Sequence, residues 1–278
     1  MTHQAFIGRT ERREDTVWPP AARALAATLN VPQPSGDELP PLWHWALFQE
    51  WAPAHLLGAD GHPQRGGFLP AEPTLPRRML AGGRLQFLQP LHMGEQVTRD
   101  STITAVEEKT GSTGRLLFVT VRHTISGAHG AALNEEQDIV YRGAQAGAGA
   151  AAAESAAESI PVSTSASVGV DTTLLFRYSA ATGNGHRIHY DQAYAANQEG
   201  YASLLVHGPL QATLLAAFAL RQRAGSSLKE FSFRARRPAL MHRCPMTLEA
   251  WPEGDGLRLR TLDTGRIVCT TAEARFSS

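Results

Sequence analysis

The chain is poor in cysteine, in charge bias and in long apolar runs, and each shortage removes a class of protein. Two cysteines, Cys244 and Cys269, in 278 residues supply neither a disulfide framework nor the paired spacing of a zinc site. Free thiols in a reducing cytosol are the expected state. Lys and Arg together number 26, as do Asp and Glu, so the formal charge is zero. No dedicated nucleic-acid or anionic-membrane surface is therefore expected. No run approaches the roughly 18 apolar residues that span a bilayer. Met1-Thr2-His3-Gln4 opens without the apolar core of a signal peptide, so the expected setting is the cytoplasm.

What is present is organised twice. Residues 143–169 are dominated by Ala, Gly and Ser, with almost no large apolar side chain to bury. That composition reads as a connector, separating a first half, 1–142, from a second, 170–278. In the first half, Arg84 to Pro90 precedes a short loop, followed by strand-like runs at Gln96–Thr104, Arg115–His123 and Gln137–Arg142. In the second, Phe231 to Pro238 precedes a similar loop, followed by runs at Met246–Trp251, Leu257–Leu262 and Arg266–Arg275. Phe231, Phe233 and Ala235 alternate with Ser232, Arg234 and Arg236, the period of a half-buried strand. Each terminal Pro stops its strand where a missing N–H does no harm. A strand, a loop and a three-strand meander thus recur in one order.

Gly208-Pro209 opens a run apolar nearly all round, through Leu210, Leu214, Phe218 and Leu220, which predicts a buried helix. A long buried helix wrapped by an antiparallel sheet is a hot-dog arrangement. The fold expected is therefore α+β, a double hot-dog with two antiparallel sheets that join side by side. The first half offers helices only at Pro20–Leu29 and Trp43–Trp51. Its Gly/Pro-rich stretch from Gly58 to Pro76 predicts a shortened or distorted central helix.

The densest chemistry lies at Tyr178 and then Gly183-Asn184-Gly185-His186-Arg187-Ile188-His189-Tyr190-Asp191, followed by Gly200 and His207-Gly208. Turn-forming residues place Asn184 and two histidines on a loop. His207-Gly208 stands at the start of the buried helix, where free N–H groups and the positive end of the dipole suit an oxyanion.

This order resembles the hydratase-2 motif of the MaoC-like family, over roughly residues 176–210. Residues 40–100, with Trp43-His44-Trp45, Asp60-Gly61-His62-Pro63 and Arg77-Arg78, are similar to the first half of a double hot-dog subgroup whose members hydrate itaconyl-CoA and mesaconyl-C4-CoA. The resemblance implies a reversible hydro-lyase of enoyl-CoA thioesters, placed in itaconate degradation. It implies no metal or redox cofactor, CoA entering only as part of the substrate, and it fits a homodimer. It puts the catalytic base on His189 and the oxyanion donor on the Gly208 N–H. The family's Asp falls on Asn184, an amide that orients a water through its carbonyl but carries no proton at neutral pH. Tyr178, His207, Arg84 and Arg77 are implied to border the substrate. Arg77, Arg78 and Arg84 are all placed near the site mouth by the resemblance, and a dicarboxylyl acyl group would need one of these guanidiniums for its free carboxylate, which one being open.

Duller roles stand beside these. His207 suits orienting the loop, Asn184 suits folding the turn, and Asp191 suits capping a following helix at Ala193–Glu199. Arg234 and Arg236 alternate on an outward strand face, where solvated charge is routine, or they meet CoA phosphates. Three alternatives to the hydratase stay open: a fatty-acid (R)-3-hydroxyacyl thioester dehydratase, a hot-dog thioesterase, and a non-catalytic subunit that binds acyl thioesters.

Overall fold

The structure, a computed structural model, describes residues 3–111, 114–143, 160 and 162–277. Most of the Ala/Gly/Ser connector lies outside the described residues. Ten strands form one sheet. In chain order they are β1 (Thr10–Thr16), β2 (Arg77–Phe87), β3 (Gln96–Gly111), β4 (Gly114–Gly127), β5 (Gly130–Arg142), β6 (Thr164–Val168), β7 (Ser227–Ala235), β8 (Met246–Glu253), β9 (Gly256–Leu262) and β10 (Val268–Ser277). Their order across the sheet is β1-β3-β4-β5-β2-β7-β10-β9-β8-β6. Outward from the central β2–β7 seam, the halves read β2-β5-β4-β3-β1 and β7-β10-β9-β8-β6. The positions correspond one to one, so the repeated order in the sequence is a repeated topology. The two expected sheets are joined at the seam by antiparallel pairing from Gly82↔Arg234 to Gln86↔Glu230. Residues 164–168, assigned by composition to the connector, form β6 and pair with β8; small alternating side chains suffice for a short edge strand.

The four α-helices are α1 (Pro19–Leu29), α2 (Thr172–Ala181), α3 (Gln192–Asn197) and α4 (Gly208–Gln222). The last is the buried helix. Pro209 occupies its first turn, and Leu210, Ala212, Leu215, Ala216, Phe218 and Ala219 are buried. All but Leu210 pack on Phe231, Phe233, Leu248, Leu259 and Ala272 of the surrounding strands; Leu210 belongs to a second cluster with Tyr178, Leu205 and Val206. The one buried amide on this helix is satisfied: Gln211 Oε1 accepts from Thr261 Oγ1 at 2.8 Å and Thr270 Oγ1 at 3.0 Å. Burying each large aliphatic side chain here contributes about 1.5–3 kcal/mol.

The first half has no counterpart to α4 among the described residues. Trp43–Ala46 is a single 3-10 turn rather than the helix expected to reach Trp51. Leu42 and Phe48 take positive φ of 69° and 56° on either side of it, and a continuous right-handed helix is closed to them. Leu42, Leu47 and Phe48 instead fill the hollow of the first-half strands beside Leu85, Ile125 and Leu133. Cys244 and Cys269 are both free thiols. No helix among the described residues is long and apolar enough to cross a membrane.

Candidate active site

The β2–β7 pairing ends at Gly82↔Arg234, and beyond it the two strands part. A register shift between Leu80 and Gly82 marks the break in β2. The gap is a cavity of about 350 Å³. One wall is Arg77, Arg78, Met79 and Leu80; the opposite wall is Ala235 and Arg237 to Ala239. The loop bearing Asn184, His186 and His189 and the start of α4 at Gly208 complete it.

His189 and Gly208 therefore face one enclosed space. His189 is 7% exposed and its Nδ1 lies 2.9 Å from the Leu205 carbonyl oxygen. A carbonyl only accepts, so Nδ1 carries the hydrogen and Nε2 keeps its lone pair. Burial, then the neighbouring His186, pushes the His189 pKa down to about 3. Gly208 opens α4, where the first N–H groups have no intrahelical acceptor.

His189 belongs to a row of rings. On one side it stacks on His207, with centroids 3.6 Å apart and planes 21° off parallel. On the other, His186 meets it edge-on at 5.6 Å, and His62 lies 4.7 Å beyond. Burial depresses the pKa of all four imidazoles; repulsion from neighbouring rings adds to it at His186, His189 and His207, and the charges of Arg78 and Arg65 add to it at His62 against the pull of Asp60. The row is neutral at physiological pH, with no room for two adjacent charges.

The loop is held from within and from the first half. The Asn184 Oδ1 accepts from the His186 backbone N–H at 3.0 Å. One lone pair of this oxygen is thus engaged in folding the turn, leaving the second and the amide NH₂ as the groups able to hold a water. Asp191 caps α3 by accepting from the Tyr194 N–H at 2.9 Å, as expected. From the first half, the Asp60 carbonyl accepts from the Arg187 N–H at 2.9 Å. Gly61 and Gly185 pass so closely that a Cβ on Gly61 would sit 2.1 Å from the Gly185 oxygen.

The remaining expected site residues divide. Arg77 lines the cavity, its Nε 2.9 Å from Glu199. Tyr178 and His207 do not line this cavity, though Tyr178 lines an adjoining one beside Asn184 and Pro209. His207 is fully buried, with Nε2 2.9 Å from Ser179 Oγ. Tyr178 packs 5.0 Å from its ring and places its hydroxyl 3.4 Å from Thr213 Oγ1. Arg84 is not in the site. Leu85 turns inward, so Arg84 turns to the outer sheet face, where it is paired with Glu136 at 2.9 Å and Asp138 at 2.7 Å. Arg234, likewise exposed, lines a groove on that same face. Sequence reasoning assigned no role to His62, His186 or Gln137, and it set Arg78 with Arg77 and Arg84 near the site mouth by resemblance only; His62, His186, Arg78 and Gln137 all line the cavity. Only the Asp60-Gly61-His62-Pro63 turn hinted at the first three.

The chain matches the family model described as hydroxyacyl-thioester dehydratase type 2 over residues 42–241. It is 46% identical over 260 residues to the mesaconyl-C(4)-CoA hydratase of Chloroflexus aurantiacus, covering 92% of this chain and 91% of that protein. In structure it resembles a MaoC-like dehydratase from Phytophthora capsici, with a TM-score of 0.72 at 13% identity, covering 98% of this chain and 96% of that one. It also resembles a Mycobacterium tuberculosis protein described as a double hot-dog fold, with a TM-score of 0.58 at 14% identity, covering 98% and 96%.

Proposed function

The chain belongs to the hydroxyacyl-thioester dehydratase type 2 family of MaoC-like hot-dog proteins, and on that footing we propose that it adds water reversibly across the double bond of an enoyl-CoA thioester. The acyl groups proposed are mesaconyl-C4 and itaconyl, either of which gives citramalyl-CoA when water adds at the β-carbon. The observation that carries this reading is that a histidine with a free Nε2 and the first amide of a buried helix line one cavity.

In the hydration direction, written for mesaconyl-C4-CoA, whose double bond is conjugated with the thioester (itaconyl-CoA, with a β,γ double bond, would first have to move a proton from its α- to its γ-carbon), His189 Nε2 accepts a proton from a water that the Asn184 amide orients. The water oxygen bonds to the β-carbon as the π pair moves to the thioester oxygen. The Gly208 N–H and the positive end of α4 hold that enolate. His189 then delivers its proton to the α-carbon, and no net proton is gained or lost. Burial keeps the ring neutral in the empty cavity, and the enolate supplies the counter-charge that favours its protonation. The proposed chemistry uses side chains, backbone and the CoA of the substrate alone. A cytoplasmic setting, a homodimer and a place in itaconate breakdown belong to the same reading.

A panel of mesaconyl-C4- and crotonyl-CoA, followed at the enoyl-thioester absorbance band, with itaconyl-CoA followed by chromatography of its hydroxyacyl product, tests it. Consumption without free thiol marks hydration; thiol release would mark a thioesterase, and no consumption a binding subunit. One observation favours a second reading, the (R)-3-hydroxyacyl thioester dehydratase. A further cavity of about 270 Å³ shares Leu80, Gln137, Asn184 and Pro209 with the first and would lengthen the acyl space. Rising turnover with acyl length would select that alternative.

A further inference from the structure

Four arginines line the cavity, Arg77, Arg78, Arg142 and Arg237, against one carboxylate, Glu199. Arg77 is ion-paired with Glu199, and Arg142 donates to the Tyr201 hydroxyl. Arg78 is different. Among the described residues its acidic neighbour is Asp60, which acts on it through charge and not through a hydrogen bond. Asp60 is shared between Arg65 at 3.4 Å and His62 at 3.5 Å. The Tyr141 hydroxyl lies across the β2–β5 pair as the hydrogen-bonding neighbour of Arg78, too loosely aligned to be a well-formed bond.

Asp60, His62 and His186 offer ligand atoms within 4.8 Å of one another, a spacing that a divalent cation accepts. Two fixed positive charges, Arg65 and Arg78, border the same place. The charge missing there is negative.

We infer that Arg78 receives the free carboxylate of a dicarboxylyl thioester and so makes the site selective for acyl groups that carry that carboxylate on the β-carbon. The inference rests on the proposed hydration reaction and names the residue that selects its substrate. In mesaconyl-C4-CoA the β-carbon bears both a methyl and the free carboxylate, and itaconyl-CoA carries its carboxylate on the same carbon. This is also the carbon that water attacks. The anchoring cation must therefore stand beside the base, not at the mouth of the cavity. Arg78 meets that demand: it lines the wall with His189, and its charge is felt by His62 and His186. A bidentate guanidinium–carboxylate pair fixes which face of the double bond meets the water. It also neutralises a charge that would repel the incoming oxygen.

The test compares kcat/KM for mesaconyl-C4-CoA with that for 3-methylcrotonyl-CoA, the same skeleton with a methyl in place of the carboxylate. The wild type prefers the first. Arg78→Gln lowers the ratio roughly 10–100-fold, the worth of a charge-assisted hydrogen bond, and Arg78→Lys, which keeps the charge without the fork, lowers it less. An unchanged ratio, or a wild type without preference, overturns the inference. So does an equal loss with both CoA thioesters that disappears with N-acetylcysteamine thioesters, since that assigns Arg78 to the CoA phosphates. Binding of the saturated analogues methylsuccinyl-C4-CoA and isovaleryl-CoA, read by calorimetry, gives the same ratio without turnover. If Arg78 governs that binding ratio while no enoyl thioester is hydrated, the carboxylate anchor stands and the hydration reading falls.

Discussion

The imidazole of His189 lies flat on that of His207, with 3.6 Å between centroids. His207 is the residue before α4 and is tethered to Ser179, so the helix start that offers its amide also sets the plane of the base. His207 touches neither the cavity nor the substrate proposed for it. Its part is to position His189.

That role separates two substitutions. His207→Ala removes the surface under His189 and lets the ring tilt, and small misplacements of a catalytic group can cost about 100-fold. The expected result is a fall in kcat of roughly 10–100-fold with KM little changed. His207→Phe restores a flat partner without the Ser179 bond and is expected to recover part of that loss. Equal kcat for the Ala and Phe variants would remove the stacking argument.

Asn184 stands where the resembling motif has Asp, and its Oδ1 accepts from the His186 N–H. A carboxylate can accept the same bond, so Asn184→Asp is expected to keep the fold. It adds negative charge near His186 and His189, both held at about pKa 3 by burial first and by histidine repulsion second. The acid limb of kcat/KM, low in the wild type, should move upward in Asn184→Asp. Asn184→Ala should instead lower kcat without that shift. A pH–rate profile of the three proteins decides it; an acid limb that stays put in Asn184→Asp would detach Asn184 from the base.

The buried histidines also set how stability depends on pH. His123 is held at about 4, His186 and His189 at about 3, and His207 well below its ordinary value, in each case chiefly by burial. Unfolding returns each to its ordinary value near 6.5, so between about pH 6.5 and 4 the unfolded chain binds more protons than the folded one. Stability is then complete above pH 6.5 and falls as pH drops, with a slope of about 1.4 kcal/mol per pH unit for each proton taken up. Urea midpoints measured from pH 7.5 to 4.5 should decline steeply below 6.5. His123→Gln, distant from the cavity lining, should flatten the decline by close to one proton. A flat profile would mean that these rings are solvated.

Residues contiguous in sequence were the legible ones. Asn184, His189 and Gly208 sit on one loop and the helix that follows it, so a local motif brings them together without knowledge of the sheet. Arg78 and His62 reach the cavity from the other half, across a seam that no local period announces. The shift between Leu80 and Gly82 also lets Arg77 to Leu80 all border the cavity, which defeats the alternation used to sort strand residues. Arg84 shows the converse. It lies past that shift, where alternation holds, and the inward turn of neighbouring Leu85 (3% exposed) places it outside. The missing central helix of the first half was foreshadowed by Gly and Pro content, but the positive φ at Leu42 and Phe48 has no residue-type signal.

The contact between the halves at Gly61 and Gly185 gives the last prediction. Gly61 has φ +87°, and an added Cβ would lie 2.1 Å from the Gly185 oxygen and 3.2 Å from the Tyr190 hydroxyl. Gly200 has a comparable φ of +74° but nothing within 4 Å of an added Cβ. Gly200→Ala therefore isolates the backbone strain, on the order of 1–3 kcal/mol. Gly61→Ala adds a clash between two backbones that only separation relieves. Separation would draw His62 away from His186 and loosen the Arg187–Asp60 hydrogen bond of 2.9 Å. The expected outcome is that Gly61→Ala loses at least about 1 kcal/mol more than Gly200→Ala in urea unfolding, and that it alone lowers kcat/KM. If the two variants unfold alike and both keep full turnover, the first-half turn is not part of the active-site wall.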